Sequence, residues 1–211
     1  MPVHPRYANL FLPTKWFLSS YRAWNDGNSA IRLLEKDAAS TSSAITDWKI
    51  HWIGACSLLR GAIDLFRADS RVCVSADLRS AVKVEWKEIK EEEDKHRIYW
   101  EFIREERNNI LHEYKWTAYE EWLDEAGRSQ QPGLMARVLF EDKYVRSLKM
   151  KSGPYKGRDS VELMQEASAW VEERILSAIA RANLDPEEDR NLVTFEKRKS
   201  SGGSLITGTL G

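Results

Sequence analysis

Three side chains suited to cutting RNA lie within six residues of one another. Arg107 and Asn108 are followed, after three residues, by His112. Cleavage through the RNA 2′-hydroxyl requires proton transfer from that hydroxyl, proton transfer to the leaving 5′-oxygen, and stabilisation of the negative phosphate. His112 suits the proton transfers because an unperturbed imidazole titrates near neutral pH. Arg107 can bind two phosphate oxygens through its planar guanidinium, and the Asn108 amide can orient a phosphate or the imidazole.

The run extends to Tyr114, and the pattern Arg107-Asn108-x-x-x-His112-x-Tyr114 resembles the signature of the HEPN superfamily. The resemblance implies a helical bundle that forms a homodimer, with a composite cleft built from Arg107, Asn108 and His112 of both subunits. It implies a metal-independent endoribonuclease of a bacterial or phage conflict system, of the toxin or abortive-infection type, with RNA as substrate and no cofactor. In the toxin branch the tyrosine is a target of a partner nucleotidyltransferase, so Tyr114 is the position at which an antitoxin partner would act.

The spacing places these side chains only partly on one side of a helix. We predict a helix over residues 95–125, on which Asn108 and His112 are four residues apart and share a face. Arg107 and His112 differ by about 140° on an ideal helix. The length of the Arg107 side chain, a local distortion of the helix, or a second copy of the helix would have to bring the two together.

The same predicted helix has an apolar stripe in which Arg107 is the exception. The stripe comprises Tyr99, Trp100, Ile103, Ile110, Leu111 and Tyr114. A charge among apolar residues is costly unless it is paired or reaches water. Arg107 therefore extends to solvent, pairs with a buried carboxylate, or serves a functional site.

Hydrophobic periodicity predicts helices along most of the chain. We expect one over 14–38, interrupted at Asp26-Gly27-Asn28, a second around Trp48–Phe66, and a third capped by Asp77. Gly54 and Gly61 in the second would mark close helix contact. We expect the charged run 90–97, which includes His96, to be solvated. Short β-like runs at 134–140 and 144–150 predict a hairpin, and Asp159 predicts the start of a last helix.

These elements predict a mainly α fold with a small β-hairpin and a C-terminal helix, and the resemblance implies that the helices form a HEPN-like bundle. We divide the chain into a helical core at 1–127, a hairpin and helix packed on that core at 128–196, and a Gly/Ser-rich tail at 197–211. Eight of the nine tryptophans precede residue 125, which places the main core in the N-terminal part. One or two of them could instead stack on bases.

The composition limits how the chain could contact nucleic acid, metal ions or a membrane. The formal net charge is −1, so any nucleic-acid surface must be a local patch. The two cysteines and four histidines show no metal-ligand spacing. No apolar stretch approaches 18 residues, which predicts a cytoplasmic protein with no membrane contact.

A second candidate surface lies in the predicted hairpin. Basic and aromatic residues alternate there, which suits contact with an RNA backbone and its bases. The candidates are Lys143, Tyr144, Arg146, Lys149, Lys151 and Tyr155. An ordinary solvated hairpin would show the same composition.

Two other functions fit the sequence. One is a non-catalytic HEPN-like helical module that binds a nucleotide or a partner protein. The other is a structural subunit in which Arg107 pairs at a dimer seam.

Overall fold

Helices form most of the described chain, which confirms the predicted mainly α class. The computed structural model describes residues 10–39, 45–73, 75–115, 117–131 and 143–192. A 3-10 turn at Thr14–Phe17 leads into the first helix, and a π-helical segment at Ile98–Ile103 leads into the fourth. The α-helices are α1 Ser19–Ala39, α2 Ile45–Val72, α3 Ala76–Glu91, α4 Arg104–Glu113 and α5 Ser160–Arg181. None of the described helices is long and apolar enough to cross a membrane.

Two small antiparallel sheets accompany the helices. In the first, β1 (Leu12–Pro13) pairs with β5 (Asp189–Arg190). In the second, β2 (Ala118–Leu123) lies between β3 (Ser129–Gln130) and β4 (Val145–Met150). The register of β2 and β4 runs from Ala118 opposite Met150 to Leu123 opposite Val145.

The central position of β2 corrects the predicted helix over 95–125, which ends at Glu113 instead. Residues 118–123 contain good helix formers, but Ala118, Glu120 and Trp122 also alternate as in a strand, and pairing with β4 decides the outcome. Of the predicted hairpin, 145–150 is a strand, and its partner is β2. The other predicted strand, 134–140, lies outside the described residues, as do positions 40–44, 116 and the 197–211 tail.

Close packing of α1 against α2 depends on Gly27. A Cβ atom there would lie 3.2 Å from Leu59 Cδ2 and 3.3 Å from Leu58 Cβ, whereas one at Gly61 would meet no atom within 4 Å. The prediction that Asp26-Gly27-Asn28 interrupts the helix was wrong, because α1 continues through it. We expected Gly61 to lie at a close helix contact, and it does not. The close contact between α1 and α2 is at Gly27 instead.

One hydrophobic cluster joins α5 and β4 to the N-terminal helices. Trp48 stacks on Trp52 with ring centroids 5.1 Å apart, and both are buried. Val171 and Ile175 of α5 belong to the same cluster, as does Leu148 of β4. The core therefore draws on both sides of the residue 127 boundary.

Buried polar groups fix how α5 meets α3. Glu85 is fully buried on α3 and accepts hydrogen bonds from Arg174 at 2.8 Å and Ser177 at 3.0 Å. His96 is also buried, and Trp170 Nε1 donates to its Nδ1 at 3.2 Å. Burial lowers the pKa of His96, with a further contribution from Arg174. The expectation that the whole 90–97 run is solvated was therefore wrong at His96.

Helix starts follow side-chain capping. Asp159 Oδ1 accepts from the backbone N–H groups of Val161 and Glu162, which confirms the predicted start of α5. The cap of α3 is Ser75, whose Oγ accepts from Leu78 N–H, rather than the predicted Asp77.

We expect Gly27→Val to lower the free energy of unfolding by about 1–3 kcal/mol, because the added methyl groups would press on α2 without room to relax. Gly61→Ala is the matched control and should raise it by roughly 0.5–1 kcal/mol, the usual gain when Ala replaces a helical Gly. Urea denaturation of both variants measures this. A Gly27→Val protein as stable as the wild type would contradict a tight α1–α2 contact at this position.

Candidate active site

The signature occupies the last two turns of α4. Tyr114 caps the C-terminus of the helix and has the left-handed backbone conformation φ 48°, ψ 36°. Its N–H donates to the carbonyls of Asn109 and Ile110. A non-glycine residue in this region is uncommon. The chain turns sharply there and enters β2 four residues later. In the predicted longer helix, Tyr114 would lie on the same face as Arg107. Because the helix stops before Tyr114, the tyrosine does not continue that face.

The inner face of α4 is anchored by a buried carboxylate. Glu106 is 4% exposed, and Thr117 Oγ1 donates a hydrogen bond to its Oε1. Burial raises the pKa of Glu106 above its usual range, and the hydrogen bond from Thr117 opposes that rise. Ile110, one turn further on, is buried beside it. The bond between Glu106 and Thr117 joins the signature helix to the start of β2.

This anchoring corrects the apolar stripe assigned from sequence. The buried residues are Tyr99, Phe102, Ile103, Glu106 and Ile110, while Leu111 is 54% and Tyr114 72% exposed. The charged member of the buried face is therefore Glu106, and Arg107 lies at its edge. Sequence analysis missed Glu106, although its spacing of three from Ile103 and four from Ile110 was a usable signal.

The outer face of α4 presents the three predicted side chains. Arg107 and Asn108 are half-buried, and His112 is exposed. Arg107 Nη1 lies 3.4 Å from Asn108 Oδ1. Within the described part of the chain, no carboxylate pairs with Arg107, and Glu106 is bonded to Thr117 instead. Pairing with a buried carboxylate, one of the three explanations for Arg107, therefore finds no support among these residues.

Side-chain length partly closes the angle between Arg107 and His112. Residues 104–113 form a regular α-helix, and the π-helical distortion lies before the signature, at 98–103. The Arg107 guanidinium reaches the amide of Asn108, which shares a face with His112. The cation therefore contacts the amide, and the amide lies four residues before the exposed His112 on the same helix.

Tyr114 lies beside this helix end in contact with α2. Lys49 Nζ is 4.9 Å from the centroid of its ring, a cation–π geometry. With 72% of its surface exposed, the side chain is accessible.

The second predicted surface is divided by its ion pairs. Arg146 is buried and pairs with Glu120 at 2.8 Å, and Lys149 pairs with Glu121 at 2.6 Å. The hydrogen bond with Glu121 raises the pKa of Lys149 and lowers that of Glu121. Both cations are thus occupied by carboxylates of β2 rather than presented together to solvent.

The remaining candidates lie apart from one another. Lys143 and Lys151 are exposed, and Tyr144 is half-buried. Tyr155 packs edge-on against Phe102 at 5.9 Å between ring centroids, and burial raises its pKa. Of the predicted RNA-binding set, Lys151 remains exposed at the end of β4, next to the start of β2.

Comparison of the chain with protein-family models, curated proteins and solved structures found no match. Among the described residues, no group of three or more His, Cys, Asp or Glu side chains is placed to hold a metal ion.

The raised pKa of Glu106 predicts a pH dependence of stability. In the unfolded chain this carboxyl titrates near about 4.3. Above that pH and up to the higher pKa of the folded state, the folded protein binds more protons, so the free energy of unfolding falls as pH rises. We expect this decline in the wild type relative to Glu106→Gln, measured by urea denaturation across a pH series. Glu113→Gln, at an exposed position of the same helix, should keep the wild-type profile. Parallel profiles for wild type and Glu106→Gln would contradict the assignment.

Proposed function

We propose that this chain is a metal-independent endoribonuclease of the HEPN type, acting in a bacterial or phage conflict system as a toxin or abortive-infection protein. The observation that supports this most directly is the exposed end of α4. Arg107 contacts Asn108 there, His112 is exposed four residues after Asn108, and Arg107 has no carboxylate partner among the described residues. A guanidinium without a partner next to an exposed imidazole suits a substrate that brings its own negative charge.

Arg107 would bind the phosphate to be cleaved. Its planar fork matches two non-bridging phosphate oxygens, and its permanent charge stabilises the additional negative charge that develops during attack. Asn108 already contacts Arg107 at 3.4 Å and would hold the guanidinium in place, or donate its amide N–H to the phosphate.

His112 would transfer protons. The 2′-hydroxyl oxygen attacks the adjacent phosphorus and loses its proton to one group, while the bond to the 5′-oxygen breaks and that oxygen receives a proton from another group. The products are a 2′,3′-cyclic phosphate and a free 5′-hydroxyl. A single imidazole is either base or acid at a given moment, so two copies of His112 complete the reaction better than one.

A homodimer formed across the exposed face of α4 would supply the second imidazole. Leu111 is 54% exposed and lies one turn from Arg107, which places apolar surface beside the polar site. Burial of this leucine against its counterpart would favour association, and the two sets of Arg107, Asn108 and His112 would face one cleft.

Tyr114 would be a regulatory position. Its exposed hydroxyl at the helix end is accessible to a nucleotidyltransferase, and Lys49 lies where it would contact the phosphate of an attached nucleotide. A nucleotide at this position would add negative charge beside Arg107 and His112 and so oppose RNA binding. Such an antitoxin partner and a cytoplasmic setting belong to the same proposal.

We expect the purified protein to cleave single-stranded RNA in excess EDTA and to leave 2′,3′-cyclic phosphate ends. His112→Ala should reduce cleavage by about 10²–10⁴-fold, the usual loss when a general acid or base is removed. Denaturing gels and phosphatase sensitivity of the product ends measure both results.

Matched controls separate chemistry from folding. His51→Ala removes a histidine that pairs with Asp37 at 2.6 Å between α2 and α1, and should leave cleavage intact. Arg104→Ala, at an exposed position of α4, is the control for Arg107→Ala. Activity that requires Mg²⁺, or a folded His112→Ala protein with wild-type turnover, would refute the mechanism and favour a non-catalytic module that binds a nucleotide or a partner protein.

We also expect light scattering to give the mass of two 24.4 kDa chains at micromolar concentration. Leu111→Glu should convert the protein to monomers and reduce cleavage, because it places charge in the proposed contact. Leu33→Glu, at a 46% exposed position of α1, should change neither property. A wild-type protein that is monomeric and fully active would rule out the shared cleft.

A further inference from the structure

An open groove lies between the start of α2 and the start of β2. Its volume is about 570 Å³. The start of α2 and the start of β2 form its walls, and the loop after β4 contributes its rim. Its lining comprises Ile45, Trp48, Ala118, Tyr119, Glu120, Lys151 and Lys156.

The walls of the groove are apolar, aromatic and rigid. Tyr119 is 41% exposed and Ile45 38% exposed, so both present apolar surface to solvent. Behind them Trp48 is buried and stacked on Trp52, which fixes the wall on the α2 side. Exposed apolar surface of this kind next to fixed aromatic rings suits a flat, apolar ligand group.

The charges at the groove favour an anion. Lys151 and Lys156 are both exposed, and neither has a carboxylate partner within the described ranges. The one acidic residue of the lining, Glu120, is paired with the buried Arg146 at 2.8 Å. Lys149, two residues before Lys151, is neutralised by Glu121, so Lys151 and Lys156 supply the positive charge without a carboxylate partner at the groove rim.

Backbone hydrogen bonds hold the two lysines at the rim. Gly157 N–H donates to Met150 C=O at 2.8 Å, and Met150 N–H donates to Arg158 C=O at 2.9 Å, which closes the loop between them. Gly153 and Gly157 have φ values of 78° and 83°, a conformation that favours glycine. Lys151 N–H also donates to Thr117 C=O, which ties the rim to the start of β2.

A short separation along the chain links the groove to the signature helix. Lys49, whose ammonium lies over the Tyr114 ring, follows Trp48 directly in α2. Ala118 of the groove is four residues beyond Tyr114, a span of at most about 14 Å. A ligand in the groove would therefore lie within the reach of a few nucleotides from His112.

We infer that this groove binds an unpaired nucleotide of the RNA substrate, with the base against Tyr119 and a backbone phosphate on Lys151 and Lys156. An aromatic surface accepts any base because every base has a π face, and two lysines without acidic partners suit a phosphate. An acidic peptide would pair with the two lysines, but its carboxylate side chains would not stack on the aromatic wall. The inference rests on the proposed function, because it assigns a subsite to the same substrate.

The test measures binding in the full-length His112→Ala protein, which cannot consume the probe. Fluorescence anisotropy with a labelled single-stranded RNA and with its duplex should show tighter binding of the single strand. Adding Tyr119→Leu, which keeps apolar bulk and removes the ring, should weaken single-strand binding by about 5-fold to 150-fold. Tyr119→Phe keeps the ring and should bind as the parent does.

The lysines are tested by salt dependence. Lys151→Ala with Lys156→Ala should reduce the slope of log affinity against log salt by about 0.7, the contribution of one phosphate contact on a single strand. Lys83→Ala with Lys90→Ala, on the exposed side of α3, is the matched control and should leave the slope unchanged. Polyglutamate should compete poorly.

Three results would overturn the inference. They are unchanged RNA binding in Tyr119→Leu, an equal reduction of the salt slope in the Lys83→Ala and Lys90→Ala control, or polyglutamate that competes as well as RNA. Cleavage separates this failure from failure of the proposed function. If the His112-containing protein cuts RNA and Tyr119→Leu has unchanged KM and kcat, only the groove assignment fails. If the groove variants weaken binding of single-stranded RNA as expected but the protein with His112 intact does not cut RNA, the endoribonuclease proposal fails and the groove assignment stands.

Discussion

The hydrogen bond from Thr117 to Glu106 connects the parts of the molecule on which the candidate site depends. It holds a buried carboxylate beneath α4 and thereby fixes which face of the helix points outward. The same threonine accepts the Lys151 N–H through its backbone carbonyl, so one residue anchors both the signature helix and the loop at the groove rim. Burying a carboxylate is costly unless it is hydrogen-bonded, which gives this contact energetic weight.

The helical frame makes that local arrangement rigid. Gly27 lets α1 lie close against α2, and Trp48 and Trp52 of α2 fill the space beneath α4 and the groove. On the opposite side, Glu85 receives hydrogen bonds from α5 and fixes the last helix against α3. Removing one partner of such a buried charged set would be strongly destabilising, so these contacts specify a single arrangement of helices.

Ion pairing, rather than the overall composition, decides which basic side chains are free to contact an anion. A chain with a net charge of −1 has no general affinity for nucleic acid, and the basic residues of β4 are largely occupied by acidic residues of β2. Cations without carboxylate partners in the described ranges occur at the end of α4, with Arg107, and at the groove rim, with Lys151 and Lys156.

The sequence by itself determined the elements whose signals are local. The apolar periodicity of α2 and the cap at Asp159 predicted their helices, because spacing and capping depend on residues a few positions apart. The identities of Arg107, Asn108 and His112 determined which chemistry is available. Tertiary structure decided the rest. Ala118–Leu123 became a strand because Val145–Met150 pairs with it, and the helix ends before it, at Glu113. Which cations are neutralised depends on contacts between distant segments, which no local pattern contains.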